Sequence, residues 1–197
     1  VGVWGWLEFR PASPAPGSRN LPETAPAGRN VLTGSTVLQR DWAPLAEMTW
    51  EDIAPTAASL AENGLLAQRF IEETGTVENA PARYLRGMVL LGQEKPPEAL
   101  AEFSQVPTGE IPILYLYAPW RLQLALRPDA ENPYAPALFT AADDGKLPPL
   151  IAARIWTARA EFSKAIENYL RADPAGWATV DLENFRLLMA DEACRED

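Results

Sequence analysis

The side chains best supplied for chemistry in this sequence are carboxylates, and several come as adjacent pairs: Glu72–Glu73, Asp143–Asp144 and Asp191–Glu192. Acid–base work on a single bond needs two carboxyl groups facing each other across it, whereas neighbours along a helix point to different sides. The first pair closes a helical pattern, the second precedes the turn residue Gly145, and the third lies near the terminus. All three therefore read as solvated acids. Histidine is absent, which removes the commonest general base and the commonest metal ligand. Serine and cysteine triads and His-containing zinc sites are thereby excluded for this chain alone. The single cysteine, Cys194, has no partner for a disulfide and no imidazole to activate its thiol. The DDGK stretch at 143–146 lacks the alternating ligands and distal glutamate of a calcium loop. TGST at 33–36 lacks the lysine and the helix entry of a phosphate cradle. No catalytic residue, metal or cofactor is expected.

What positions these residues is a chain of 197 amino acids, long enough for one substantial core with or without an attached arm. A formal charge of −10 argues against a nucleic-acid partner. The charge is unevenly spread. Arg10, Arg19, Arg29 and Arg40 outnumber Glu8 and Glu23 in the first forty residues, so the excess acid lies downstream, where it reads as a solubilising field.

Residues 1–35 read as an extended, proline-rich arm. The opening VGVWGWLEF is apolar, with Trp4 and Trp6, and Pro11, Pro14, Pro16, Pro22 and Pro26 follow among small polar residues. A start at Val1 suggests a trimmed or truncated product. One reading of the opening is the trailing end of a membrane-spanning helix, which implies a membrane tether upstream of Val1 and a helical domain in the periplasm. The other is a short apolar arm packed on the body.

From residue 36 to 197 the pattern is helical, with only STVLQR at 35–40 resembling a strand. Thr49 and Asp52 form a capping pair for a helix that ends at Asn63–Gly64, taken as a left-handed stop. A second helix covers 64–75. Pro81 opens the next, which Gly92 ends, and Pro96 opens its partner, with Ala99, Phe103 and Val106 inward. Residues 112–126 read as one apolar helix bent at Pro119. Asn132–Pro133 starts a short helix, Pro148 another, and residues 161–172 its partner. The last helix runs from about Thr179 to Ala193, with Leu182, Phe185 and Met189 expected on its buried side. Trp42, Trp50, Trp120, Trp156 and Trp177 read as core. The fold class is all-α, and helices pair, with first partners starting near 50, 81, 112, 148 and 179. That spacing falls where a thirty-four-residue helical repeat is expected.

The residues carrying the pairing resemble the tetratricopeptide repeat family. Gly87, Ala99, Phe103 and Pro107 match its small, small, aromatic and proline positions in one hairpin. Ala153, Ala165, Tyr169 and Pro174 match them in another, with Phe162 and Ala172 alongside. Ala135, Phe139 and Ala142 suggest a third, more degenerate copy. The resemblance implies a right-handed superhelix whose concave groove receives a protein or peptide. By register that groove would hold Tyr84, Met88 and Leu91, then Arg154 and Thr157 beside Leu150, with Tyr115 between. Arg154 could take a carboxylate and the tyrosines could act as rigid contacts. The expectation is a non-enzymatic scaffold. Two other readings stand beside it: the accessory helical region of a larger cell-envelope enzyme such as a glycosidase, and a subunit that self-associates through its unpaired last helix.

Overall fold

The computed structural model describes residues 43–193, and they are helical, with no strand among them. The arm at 1–35, the STVLQR stretch, Trp42 and Cys194 lie outside the described residues. The α-helices are α1 (Ile53–Ala61), α2 (Gly64–Glu73), α3 (Ala80–Gly92), α4 (Pro96–Ser104), α5 (Tyr117–Leu126), α6 (Ala135–Asp143), α7 (Pro149–Ala158), α8 (Phe162–Arg171) and α9 (Thr179–Ala193). Short 3-10 turns fill several connections. The chain forms two compact units. The first ends at Pro112 and also includes Ala125–Pro128; the second comprises Ile113–Leu124 and the residues from Asp129 onward.

Two helical hairpins, α3–α4 in the first unit and α7–α8 in the second, are the tightest pairings within their units. They correspond position by position with an offset of 66 residues. Ala99 and Ala165 are both fully buried, as are Phe103 and Tyr169 one helical turn later. The need for small residues is explicit at Gly87. A Cβ there would stand 2.5 Å from Cε1 of Phe103, far inside van der Waals contact. Ala153, fully buried, holds the same place in the second hairpin.

The inter-helix turns also coincide. Glu94 (φ 60°) and Ala160 (φ 58°) are the non-glycine residues with left-handed backbone among those described. After each, the next amide reaches five residues back: Lys95 to Leu90 (3.0 Å) and Glu161 to Trp156 (2.9 Å). This closure satisfies helix-end carbonyls that would otherwise be orphaned. Gly145 (φ 67°) ends α6 by the same device, with the Lys146 amide donating to Ala141 (2.9 Å).

Several local expectations are corrected. Asn63 does not stop α1 with a left-handed residue: its φ is −137°, and its side chain accepts from the Leu66 amide (3.1 Å), capping the start of α2. Pro119 does not bend a long helix. Residues 113–116 form a 3-10 turn, and α5 begins at Tyr117, so the proline falls in a first turn, where its missing N–H has no partner to lose. In α6 the buried positions are Leu138, Ala141 and Ala142, and Tyr134 just before the helix is buried too, with Phe139 and Ala135 only half-buried. Of the third-copy residues Ala142 is thus in the core, while the large inward positions are Tyr134 and Leu138, each one residue before those expected. On α9 the buried side chains are Asp181 and Leu188, while Leu182 and Met189 are exposed and Phe185 is half-buried. The Thr49–Asp52 pair is present: the Asp52 carboxylate accepts from the Thr49 amide (2.9 Å) and hydroxyl (2.7 Å).

Gly87→Ala drives a methyl group into Phe103, and Ala165→Leu inserts three carbons between α7 and α8. Each is expected to lower the unfolding free energy by about 1–3 kcal/mol through overpacking. Thermal or denaturant melts that match wild type would show that these contacts are not tight.

Candidate functional site

The six side chains assigned to a groove have different fates. Tyr84 is 1% exposed and sits between Trp50 (centroids 5.4 Å apart) and Phe103 (4.8 Å). Leu91 is also buried. Both are core residues and are corrected as such. On an apolar helix one turn of side chains must fill the hairpin interior, and the large ring wins that place. Met88 and Tyr115 are half-buried. Thr157 is half-buried, with its hydroxyl donating to the Ala153 carbonyl (2.9 Å).

Arg154 does take a carboxylate, and it comes from its own chain. Its Nε donates to Asp181 Oδ1 (2.8 Å) and its Nη2 to Oδ2 (2.5 Å), the two-pronged geometry in which guanidinium and carboxylate match best. Asp181 stands in the first turn of α9, 27 residues downstream, with its side chain only 1% exposed. Oδ2 also accepts from the Ala178 amide (2.9 Å), so one carboxylate caps the helix and neutralises the arginine. Around the pair stand two phenols. Tyr169 is fully buried, with its hydroxyl 3.5 Å from Asp181 Oδ1, and Tyr117 hydrogen-bonds Arg154. Tyr169, Trp177 and Phe185 form an aromatic cluster with centroid separations of 5.2–5.7 Å.

The electrostatics are those of a closed ion-pair socket. Burial is the largest single influence and opposes the charge on Arg154, but the hydrogen bond and charge of Asp181 together with the interactions of Tyr117 outweigh it and hold the guanidinium above its ordinary value. Burial raises the Tyr117 phenol against the pull of Arg154 and Arg121. Burial raises Tyr169 too, reinforced by the negative charge of Asp181 and opposed by hydrogen bonds with Thr157 and Asn184.

The first unit has its own internal arginine. Arg86 is 8% exposed and ties three helices together. It donates to the Ile71 carbonyl (2.8 Å) at the end of α2, to the Thr74 hydroxyl (2.9 Å), and to Glu102 on α4 (3.1 and 3.2 Å). A guanidinium at a helix C-terminus is favourably placed against the helix dipole. On the surface of the second unit, Arg159 lies over Phe139 (4.6 Å) and Trp156 (4.8 Å), and Lys164 over Trp156 (4.2 Å), with Asp143 close to both cations.

Sequence reasoning missed Asp181 and Arg86. Asp181 carries a visible local signal, an acid in a helix first turn, but that signal predicts only a cap. Its pairing with Arg154 needs a chain reversal that no spacing rule encodes. Among the described residues no group of three or more Cys, Asp or Glu could hold a metal, and no helix is long and apolar enough to cross a membrane. Compared with known proteins, the chain matches no protein-family model, no curated protein and no solved structure.

Orphaning one member of a buried ion pair typically costs about 3–5 kcal/mol, whereas replacing both with apolar groups is far milder. Asp181→Asn is thus expected to cost up to about that much, and Arg154→Met/Asp181→Leu to recover most of it in denaturant melts. Equal losses in the two variants would show the pair to be uncoupled.

The tyrosines supply a pH test. Their folded-state pKa values lie above the unfolded value of about 10, so their stabilising effect is whole below that pH. It is lost as pH rises through the folded-state values. Tyr117 and Tyr169 should ionise above the ordinary phenol range in an ultraviolet titration, and Tyr169→Phe should remove one such late step and flatten the alkaline fall in stability. A titration that Tyr169→Phe changes only in its ordinary step would contradict this.

Proposed function

We propose that the chain is a non-enzymatic helical-repeat scaffold, tetratricopeptide-like in its hairpins, that binds a protein or peptide segment along its first-helix faces and uses no cofactor. The observation carrying this reading is the correspondence of two hairpins at an offset of 66 residues. Small residues, aromatics and the left-handed turn position all coincide. A chain that builds the same module twice is suited to presenting a series of equivalent side chains. In these hairpins Met88 and Arg154 occupy the same register position, and Leu91 and Thr157 the next. With Tyr84 and Leu91 committed to the core, Met88 remains as the half-buried candidate contact of the first unit, and Tyr115 and Thr157, with the Asp181-paired Arg154, as those of the second.

Such a surface would work by preorganisation. Helices already locked by their own hairpins lose little conformational freedom when a segment docks, so modest contacts suffice for binding. Half-buried methionine adds an adaptable apolar contact.

Co-purification with the full chain tests the reading. Met88→Glu should abolish retention of a partner that Glu98→Lys, an exposed change on α4, leaves intact. Circular dichroism should show both variants folded. Equal retention by the two variants, or no partner at all, would refute the assignment.

A further inference from the structure

The second unit already contains one complete example of a segment docked beside Arg154. The segment is the approach to α9 and its first two turns. Trp177 precedes the helix in extended backbone, Asp181 lies in the first turn and Phe185 one turn further on, and the carboxylate enters the Arg154 socket while the two rings pack with each other and with Tyr169. Beyond these the helix is loosely held: Val180, Leu182, Leu187 and Met189 are all 43–68% exposed, and among its described side chains, up to Ala190, only Leu188 joins Asp181 as buried. The docked state also has an internal defect. The indole Nε1 of Trp177 is buried with no acceptor, a cost that release removes.

These features set an asymmetry. Opening the socket to nothing strands a guanidinium whose side chain is only 12% exposed, which is unfavourable. Exchanging one carboxylate for another keeps the pair and its hydrogen bonds throughout. The socket therefore resists idle opening but admits replacement by a like-charged competitor.

We propose that the Arg154 socket is a carboxylate-recognition site for a partner segment with the pattern aromatic-x-x-x-Asp-x-x-x-aromatic, whose aspartate opens a helix, and that the start of α9 with Trp177 before it is the built-in occupant, a latch displaced by that partner. The inference rests on the groove reading above and names the chemistry of the segment that the second hairpin receives. Tyr169, its hydroxyl 3.5 Å from the Asp181 carboxylate, and Tyr117, beside Arg154, flank the incoming carboxylate. Because the latch is tethered, it competes at high local concentration, so an external segment binds weakly until the latch is disabled.

The test uses a fluorescently labelled synthetic peptide of residues 174–190, added to the full chain and followed by anisotropy. Binding to Asp181→Asn should be at least about tenfold tighter than to wild type, the effect of removing a tethered competitor. A peptide with Asn in place of its aspartate should lose that gain, and so should an Arg154→Met/Asp181→Asn host. A peptide with Phe in place of its tryptophan should bind at least as well as the parent. Equal affinity for wild type and Asp181→Asn, or indifference to the peptide's carboxylate, would overturn the proposal. Should Asp181→Asn fail to fold, hydrogen exchange on wild type decides. Amides of 179–190 should exchange by local opening faster than those of α7 and α8, and uniform protection across all three would overturn it. A Met88-dependent partner without peptide binding would sink the latch alone. Peptide binding without such a partner would sink the wider scaffold reading and leave the socket standing.

Discussion

The ring of Phe103 lies so close to the backbone of Gly87 that no side chain fits between them. Helices at that separation present their main chains to each other, and an aromatic from one must fill the remaining volume. Everything else in the first hairpin follows from this contact. Ala99 must be small, Tyr84 can stack against Phe103 and reach Trp50, and the turn between the helices must be short enough to bring them back at once. The second hairpin meets the same constraint with Ala153, Ala165 and Tyr169. Across residues 80–106 and 146–172 Ala99 and Ala165 are the sole identical pair, so the two copies share a pattern of volumes and little else.

Charge completes what packing begins. Among the described residues each unit has a largely buried arginine, and in each it joins separate segments of the chain. Arg86 gathers the end of α2, the Thr74 hydroxyl and Glu102 around α3. Arg154 fixes the first turn of α9 through Asp181. Buried pairs contribute little net stability compared with apolar packing, but they are intolerant of wrong geometry. Removing one partner leaves the other charge buried and uncompensated, so each arginine ties its segments to one geometry. The aspartate has the further merit of capping the helix it anchors.

Much of this was legible in the sequence where the signal is local. Helix positions, the all-α class, the Ala99–Phe103 and Ala165–Tyr169 motifs and the Thr49–Asp52 pair all depend on residues within a few positions of one another. The failures share a cause. Asn63 and Pro119 each have two legitimate roles, stop or cap and kink or first turn, and only the neighbouring packing selects between them. Tyr84, Leu91 and the buried side of α9 depend on which face of a broadly apolar helix wins the interior. In α9 the apolar residues surround the helix widely, so periodicity offers no decision, and a buried aspartate settles it instead. Asp181 reads as an ordinary first-turn acid until Arg154 is brought to it.

The turns at Glu94 and Ala160 carry one more consequence. Both residues are exposed, both adopt a backbone that L-amino acids disfavour, and both turns are closed by main-chain groups alone. Closure therefore needs no particular side-chain group, and only the left-handed backbone restricts the tip, favouring glycine or asparagine and penalising β-branched residues and proline. Residues that tolerate that backbone can replace one another there without altering the path of the chain, so two hairpins of different wording keep one grammar.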